Sequence, residues 1–237
     1  MLSVSKMSTD YPLHAECMNG NSEKVHQLLA ESPSLVKSVD DDSRYPLHWA
    51  VSFQHVDIVD ILLGYMKKVD LDSVLDESGW SPLHIAASVG NVEIMEKLLE
   101  HSIEPNVDLQ TKNGITALHL ACSKKHQDVV KLLLERGASV RVKDKNGQLP
   151  LHRAAAVGSM GIVSMLCDKN SPVNTKDRLG WSPLFHALAE GHGDVAVELV
   201  NKYHAVWEGE TDNQEQTAEK VCVDDKVRKF FLANVSS

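Results

Sequence analysis

The chain has 237 residues, 43% apolar and 24% charged, which is the balance of a folded protein and excludes a disordered one. A formal charge of −9 argues against nucleic acid as the main ligand. With aromatics at 5%, the core must be built from Leu, Val, Ile and Ala.

Residues 1–10 lack the apolar stretch of a secretory signal and are read as a disordered leader. No apolar run approaches the roughly 18 residues of a membrane span, so no membrane partner is expected. The four Cys contain no CxxC pair. They fit neither a disulfide scaffold nor a zinc site, and a reducing compartment, cytoplasm and nucleus, is expected.

From Pro12 onward one unit recurs. Pro-Leu-His stands at Pro12-Leu13-His14, Pro46-Leu47-His48, Pro82-Leu83-His84 and Pro150-Leu151-His152, with variants at Ala117-Leu118-His119 and Pro183-Leu184-Phe185. The Leu positions lie 34, 36, 35, 33 and 33 residues apart. A polar turn with Gly precedes several copies, as in Asp76 to Pro82, Asp144 to Pro150 and Asp177 to Pro183. Gly there can take φ > 0, and the following Pro suits the first turn of a helix. A short helix is expected through Leu83 to Val89, broken at Gly90, and then a second helix. In Val129 to Leu134 the apolar surface is too wide for one neighbour to cover, so adjacent units must stack. Gly137 supplies the stop after that helix.

A period near 33 with this tripeptide resembles the ankyrin family. The resemblance implies an all-α solenoid of about seven helix-turn-helix repeats with β-hairpin-like turns. The expected organisation is one domain over 11–237, with repeats at 11–39, 40–75, 76–110, 111–143, 144–176, 177–210 and 211–237. The first and last units are atypical, as caps should be.

Residues that could suggest catalysis are better placed in packing. His14, His48, His84, His119 and His152 share one slot, which in the family hydrogen-bonds between neighbouring turns. His55, His126 and His192 share another, opening the second helix. Cys17 and Cys122 stand where Ala87 and Ala155 stand in other units, a slot for a small buried side chain. Asp70 to Gly79 fails as a calcium loop because Val74 and Leu75 replace a ligand and the turn Gly. No catalytic motif appears. An enzyme is therefore not expected, nor is a metal or cofactor.

Binding is expected on the concave face lined by turn tips and first helices. Asp42, Arg44, Glu77, Trp80, Lys112, Ile115, Lys145, Gln148, Arg178 and Trp181 are placed at the tips. Phe53, Val89, Lys124, Val157 and Glu190 fall near the ends of first helices. Trp80 and Trp181 are expected to be exposed anchors. Charge divides along the chain: residues 1–110 carry 7 Lys and Arg against 18 Asp and Glu, whereas 111–178 carry 12 against 5. A matching partner would present a basic and an acidic patch.

Finer stretches are similar to the gankyrin-type chaperones of proteasome regulatory-particle assembly, especially the fungal members. They are Asp42 to Trp49, Ser78 to Ser88, Leu151 to Ala156 and Trp181 to Asp194. The resemblance implies a partner, the C-terminal helical domain of one AAA-ATPase subunit of the proteasome base. Asp42 and Glu77 match acidic positions that meet arginines of that domain, and Arg44 and Lys124 match basic positions. Trp49 and Arg153, on first helices, join the expected contact set. The Leu-x-Cys-x-Glu motif of the vertebrate protein is replaced by Leu184 to Glu190 without a Cys, so pocket-protein binding is not carried over. The chain is expected to be a monomer by itself. The competing reading is an ankyrin adaptor for another target, such as a cyclin-dependent kinase.

Overall fold

A computed structural model describes residues 10–235, so the expected leader lies, apart from Asp10, outside the described residues. The chain forms two compact units, Met1–Lys112 and Asn113–Ser237. Each unit is built of paired helices.

In the first unit the pairs are α1 (Pro12–Asn19) with α2 (Ser22–Glu31), α3 (Pro46–Ser52) with α4 (Val56–Tyr65), and α5 (Pro82–Val89) with α6 (Val92–Leu99). Short 3-10 turns at Pro33–Lys37 and Leu71–Ser73 lengthen the links out of α2 and α4. The second unit holds α7 (Ala117–Ser123) with α8 (Gln127–Glu135), α9 (Pro150–Ala156) with α10 (Met160–Asp168), α11 (Pro183–Ala189) with α12 (Gly193–Asn201), and a closing pair, α13 (Ala218–Val221) and α14 (Asp225–Asn234). First helices pack on first helices, α1 on α3 on α5 and α7 on α9 on α11 on α13. Second helices pack likewise, α2 on α4 on α6, α8 on α10, and α12 on α14.

The motif Leu explains the stacking. Leu13, Leu47, Leu83, Leu118, Leu151 and Leu184 are all buried, and four residues later Cys17, Val51, Ala87, Cys122, Ala155 and Leu188 are buried too. That spacing puts both on one helix face. On the second helices the same rule buries Ile58 and Leu62, Ile94 and Leu98, Val129 and Leu133, and Ile162 and Leu166. Leu132 and Leu134 are buried as well, so α8 is covered on a wide arc. These stripes remove most of the apolar side chains from water, at about 25 cal/mol per Å².

Pro occupies the first turn of five first helices, α1, α3, α5, α9 and α11. Gly90 ends α5 with φ +82, its N–H on the Ala86 carbonyl. The turns are hairpin-like in bonding: the N–H of Asp40, Asp76, Asp144, Asp177 and Asp212 bonds the carbonyl four residues on. Among the described residues the single β-bridge joins Thr211 and Thr217 in the last of these turns. In the first of them Ser43 takes φ +60 where Gly79 and Gly147 take +78.

Candidate functional site

The turns form ladders within each unit. Glu77 N–H donates to the Asp42 carbonyl at 3.1 Å and Lys112 N–H to Ser78 at 3.1 Å. In the second unit Lys145 N–H donates to Asn113, Arg178 N–H to Asn146 and Asn213 N–H to Leu179. Successive tips are therefore neighbours, and their side chains point into solvent. Asp42, Glu77 and Lys112 are exposed in the first unit, and Lys145 and Arg178 in the second. Two acidic tips stand side by side in one unit, two basic tips in the other.

The repeated histidines hold these turns to the helices. His48 Nδ1 accepts the N–H of Tyr45 at 2.9 Å while Nε2 bonds the Trp80 carbonyl of the next turn at 3.1 Å. His84, His119 and His152 pair the same way, reaching the carbonyls of Leu109, Gln148 and Thr175. Burial pushes His48 and His152 down to about 4, which keeps both rings neutral; the bonded carbonyls oppose that shift without cancelling it. In the sixth repeat Phe185 takes the slot, and the Ser182 hydroxyl loses the imidazole that Ser81 and Thr116 meet at 2.8 Å. It is buried without a partner.

His55, expected to serve its own helix start, reaches back: Nε2 bonds the Met18 carbonyl of the preceding repeat at 3.1 Å. The His192 ring covers Gly158, where an added Cβ would come within 2.3 Å of Nδ1. The sequence signal was present but unread, because a Gly closes the preceding first helix at the matching positions, Gly20 and Gly158. Cys17 and Cys122 are fully buried and Cys167 nearly so; burial raises all three thiols, Cys167 to about 12. Among the described residues no group of His, Cys, Asp and Glu could hold a metal, and no helix is long and apolar enough to cross a membrane.

On the first-helix face of the first unit, Arg44, Trp49 and Phe53 come together. The Arg44 guanidinium lies 5.2 Å from the Trp49 ring centroid, and Trp49 stacks on Phe53 at 6.1 Å. Phe53 stacks on His55 in turn at 6.4 Å, and the residue is 49% exposed. The Trp49 indole N–H donates to Asp40 Oδ2 at 2.8 Å, and Arg44 Nε sits 3.7 Å from Asp76. Trp80 is a correction: expected exposed, it is half-buried, its ring tilted over His84 at 6.3 Å.

In the second unit Arg153 is joined to Asp144 at 2.6 Å, and the Gln148 amide donates to Asp177 at 3.0 Å. Trp181 is the second correction, half-buried with its indole N–H on Asp212 at 2.9 Å and its ring edge-on to His186 at 5.2 Å. An indole with a carboxylate acceptor in reach lies down on the turn rather than standing in water. His186, absent from the expected set, sits 2.9 Å from Asp177. Ile115 and Val157 are half-buried, while Lys124 and Glu190, at the ends of α7 and α11, are exposed.

The ankyrin-repeat family model matches in three copies, at residues 3–73, 65–144 and 137–209. The chain belongs to the ankyrin-repeat family. It is 50% identical over 228 residues, 96% of this chain and 100% of the relative, to the probable 26S proteasome regulatory subunit p28 of Saccharomyces cerevisiae. An ankyrin repeat-containing protein of Schizosaccharomyces pombe, C6C3.08, is 39% identical over 53% of this chain and 54% of its own length. The crystal structure of the ankyrin repeat domain of Bcl-3 superposes with a TM-score of 0.74 at 26% identity, covering 93% of this chain and 97% of that one. The gankyrin-type resemblance read from Asp42 to Trp49 and Trp181 to Asp194 agrees with the first of these relatives. Ankyrin repeats are protein-interaction modules, and the repeated histidines of this chain serve its packing.

Proposed function

We propose that this ankyrin-repeat protein is a non-catalytic chaperone for assembly of the proteasome regulatory particle, acting in cytoplasm and nucleus. It grips the C-terminal helical domain of one AAA-ATPase subunit of the base through its turn tips and first helices. The observation that carries the reading is identity of 50% along the whole length of a protein named as a probable proteasome regulatory subunit. The site chemistry supports it. Asp42 and Glu77, adjacent and exposed, suit arginines of a partner; Lys145 and Arg178, exposed on the other unit, suit its acidic groups. Phe53 offers the apolar contact that such charge pairs need, since each exposed pair is worth under about 1 kcal/mol. A domain held this way is sterically kept from docking its ring on the core particle until the chaperone leaves.

Affinity purification of the tagged chain with mass-spectrometric identification tests the reading. Recovery of one base ATPase, and direct binding of that subunit's isolated C-terminal domain to the purified chain, is the expected result. Recovery of a cyclin-dependent kinase without any proteasome ATPase would replace it with the adaptor reading.

A further inference from the structure

A turn of this kind needs one oxygen from the aspartate that opens it. In Asp40, Asp76, Asp144, Asp177 and Asp212, Oδ1 accepts the backbone N–H groups two and four residues on. Asn could supply that oxygen equally well. The second oxygen has no task in the turn, yet each one meets a side chain of the recognition face.

Three of these contacts share one spacing. Asp40 Oδ2 accepts from Trp49, Asp144 Oδ2 from Arg153 and Asp177 Oδ2 from His186, each nine residues on. The others come from the preceding repeat: Arg44 to Asp76, Gln148 to Asp177, Trp181 to Asp212. One turn carries Thr111 in place of the aspartate. There the residue nine on is Leu120, an apolar side chain that requires no carboxylate. Asp40, Asp144 and Asp177 are at most 8% exposed, whereas the Arg153 side chain is 31% exposed. The carboxylates lie behind the groups they hold, of which His186 shows 13% of its side chain.

We propose that Asp40, Asp144 and Asp177 are positioning residues for partner recognition: their second carboxylate oxygens fix Trp49, Arg153 and His186 in the conformations that the partner meets. A side chain ordered beforehand loses less entropy on binding, so affinity rises without a new contact. The partner's own groups meet the held side chains and never touch the aspartates. The inference rests on the reading of these faces as the ATPase-binding surface.

The test uses the full chain carrying Asp144→Asn, which keeps Oδ1 for the turn and sets an amide donor against Arg153. Titration with the C-terminal domain of the co-purified ATPase is expected to show about tenfold weaker binding, with the thermal midpoint close to that of the parent. Arg153→Ala should weaken binding too, and adding Asp144→Asn to it should change binding no further. Parent-like binding by Asp144→Asn, or an undiminished effect of that change in the Arg153→Ala background, overturns the proposal. A second readout needs no partner. In Asp40→Asn, ¹⁵N relaxation of the indole N–H groups should show Trp49 losing order while Trp181 keeps it; an unchanged Trp49 signal overturns the proposal independently. Failure of the parent chain to bind any base ATPase domain sinks the partner reading instead, and leaves the indole measurement to decide the positioning.

Discussion

At the scale of single residues, His48 and His152 behave as neutral double hydrogen-bonders, and this makes stability depend on pH in a definite direction. His48 and His152 titrate near 4 when folded, against about 6.5 in an unfolded chain. Between those values the unfolded chain takes up the proton and the native chain does not, so acid favours unfolding. Urea unfolding should give a flat stability above pH 7 and a fall between about 6.5 and 4, worth at most roughly 3 kcal/mol for each ring. Asp177 adds a loss at still lower pH. Burial would raise its carboxyl, but hydrogen bonds from Gln148, His186 and the backbone N–H groups of Trp181 and Leu179 outweigh that and hold it below the ordinary range. Its stabilisation is complete above about pH 4 and disappears as pH falls through the lowered value. A profile unchanged from pH 7 to 4 would show that the buried rings are charged in the native state. His152→Ala, which strands the Leu149 N–H and the Thr175 carbonyl, should cost roughly 2–4 kcal/mol in the same experiment at pH 7.

At the scale of the element, the break between first and second helices is a left-handed residue, and its neighbours differ from repeat to repeat. Lys125 holds that position at φ +60, where Gly90 and Gly158 take positive φ at no steric cost. Lys125→Gly should therefore stabilise the chain by roughly 0.5–1 kcal/mol, after allowing for the extra freedom it gives the unfolded state. The reverse change separates strain from contact. At Gly137, with φ +85 and open space around it, Ala should cost only the backbone strain of about 1 kcal/mol; at Gly158 the new methyl also displaces His192, and roughly 3 kcal/mol is expected. Equal losses in urea titrations of the two variants would mean that the His192 ring does not lock the repeats together. The helices and their breaks were legible because each depends on local spacing: Leu13 to Cys17, Pro82 to Gly90. Two features were not. The tip residues Asp42 and Arg44 are legible, but the part played by Asp40 is not, because Ser43 stands in the Gly position; Asp40 nevertheless precedes Arg44 as Asp76 precedes Trp80. The contacts of Trp49 with Asp40, Arg153 with Asp144 and Trp181 with Asp212 join side chains 9 or 31 residues apart. Their pairing depends on rotamers that the turn geometry selects, and composition alone carries no trace of it. Trp80 and Trp181 were misjudged for the same reason: a Gly beside an indole marks a turn, not the depth at which the ring settles.

At the scale of the whole molecule, sequence charge and surface charge coincide. Residues 1–110 hold 18 acidic groups against 7 basic ones, and the exposed tips of that stretch, Asp42 and Glu77, carry the same sign as its excess. Residues 111–178 reverse the balance, and Lys112, Lys145 and Arg178 are the exposed tips there. Such an arrangement acts on encounter more than on final affinity, because exposed pairs are screened and individually weak. It follows that Glu77→Lys should slow association with the ATPase domain severalfold, leave dissociation nearly unchanged and shift the thermal midpoint by no more than about 2 °C. Raising salt from 0.05 M towards about 0.5 M should slow the parent chain's association in the same way and abolish most of the difference between parent and variant, since the Debye length then falls to roughly 4 Å. Stopped-flow or surface-based kinetics at both salt concentrations decides the matter. A salt-independent association rate would place recognition in the Arg44, Trp49 and Phe53 stack, and the charge division would then serve solubility alone.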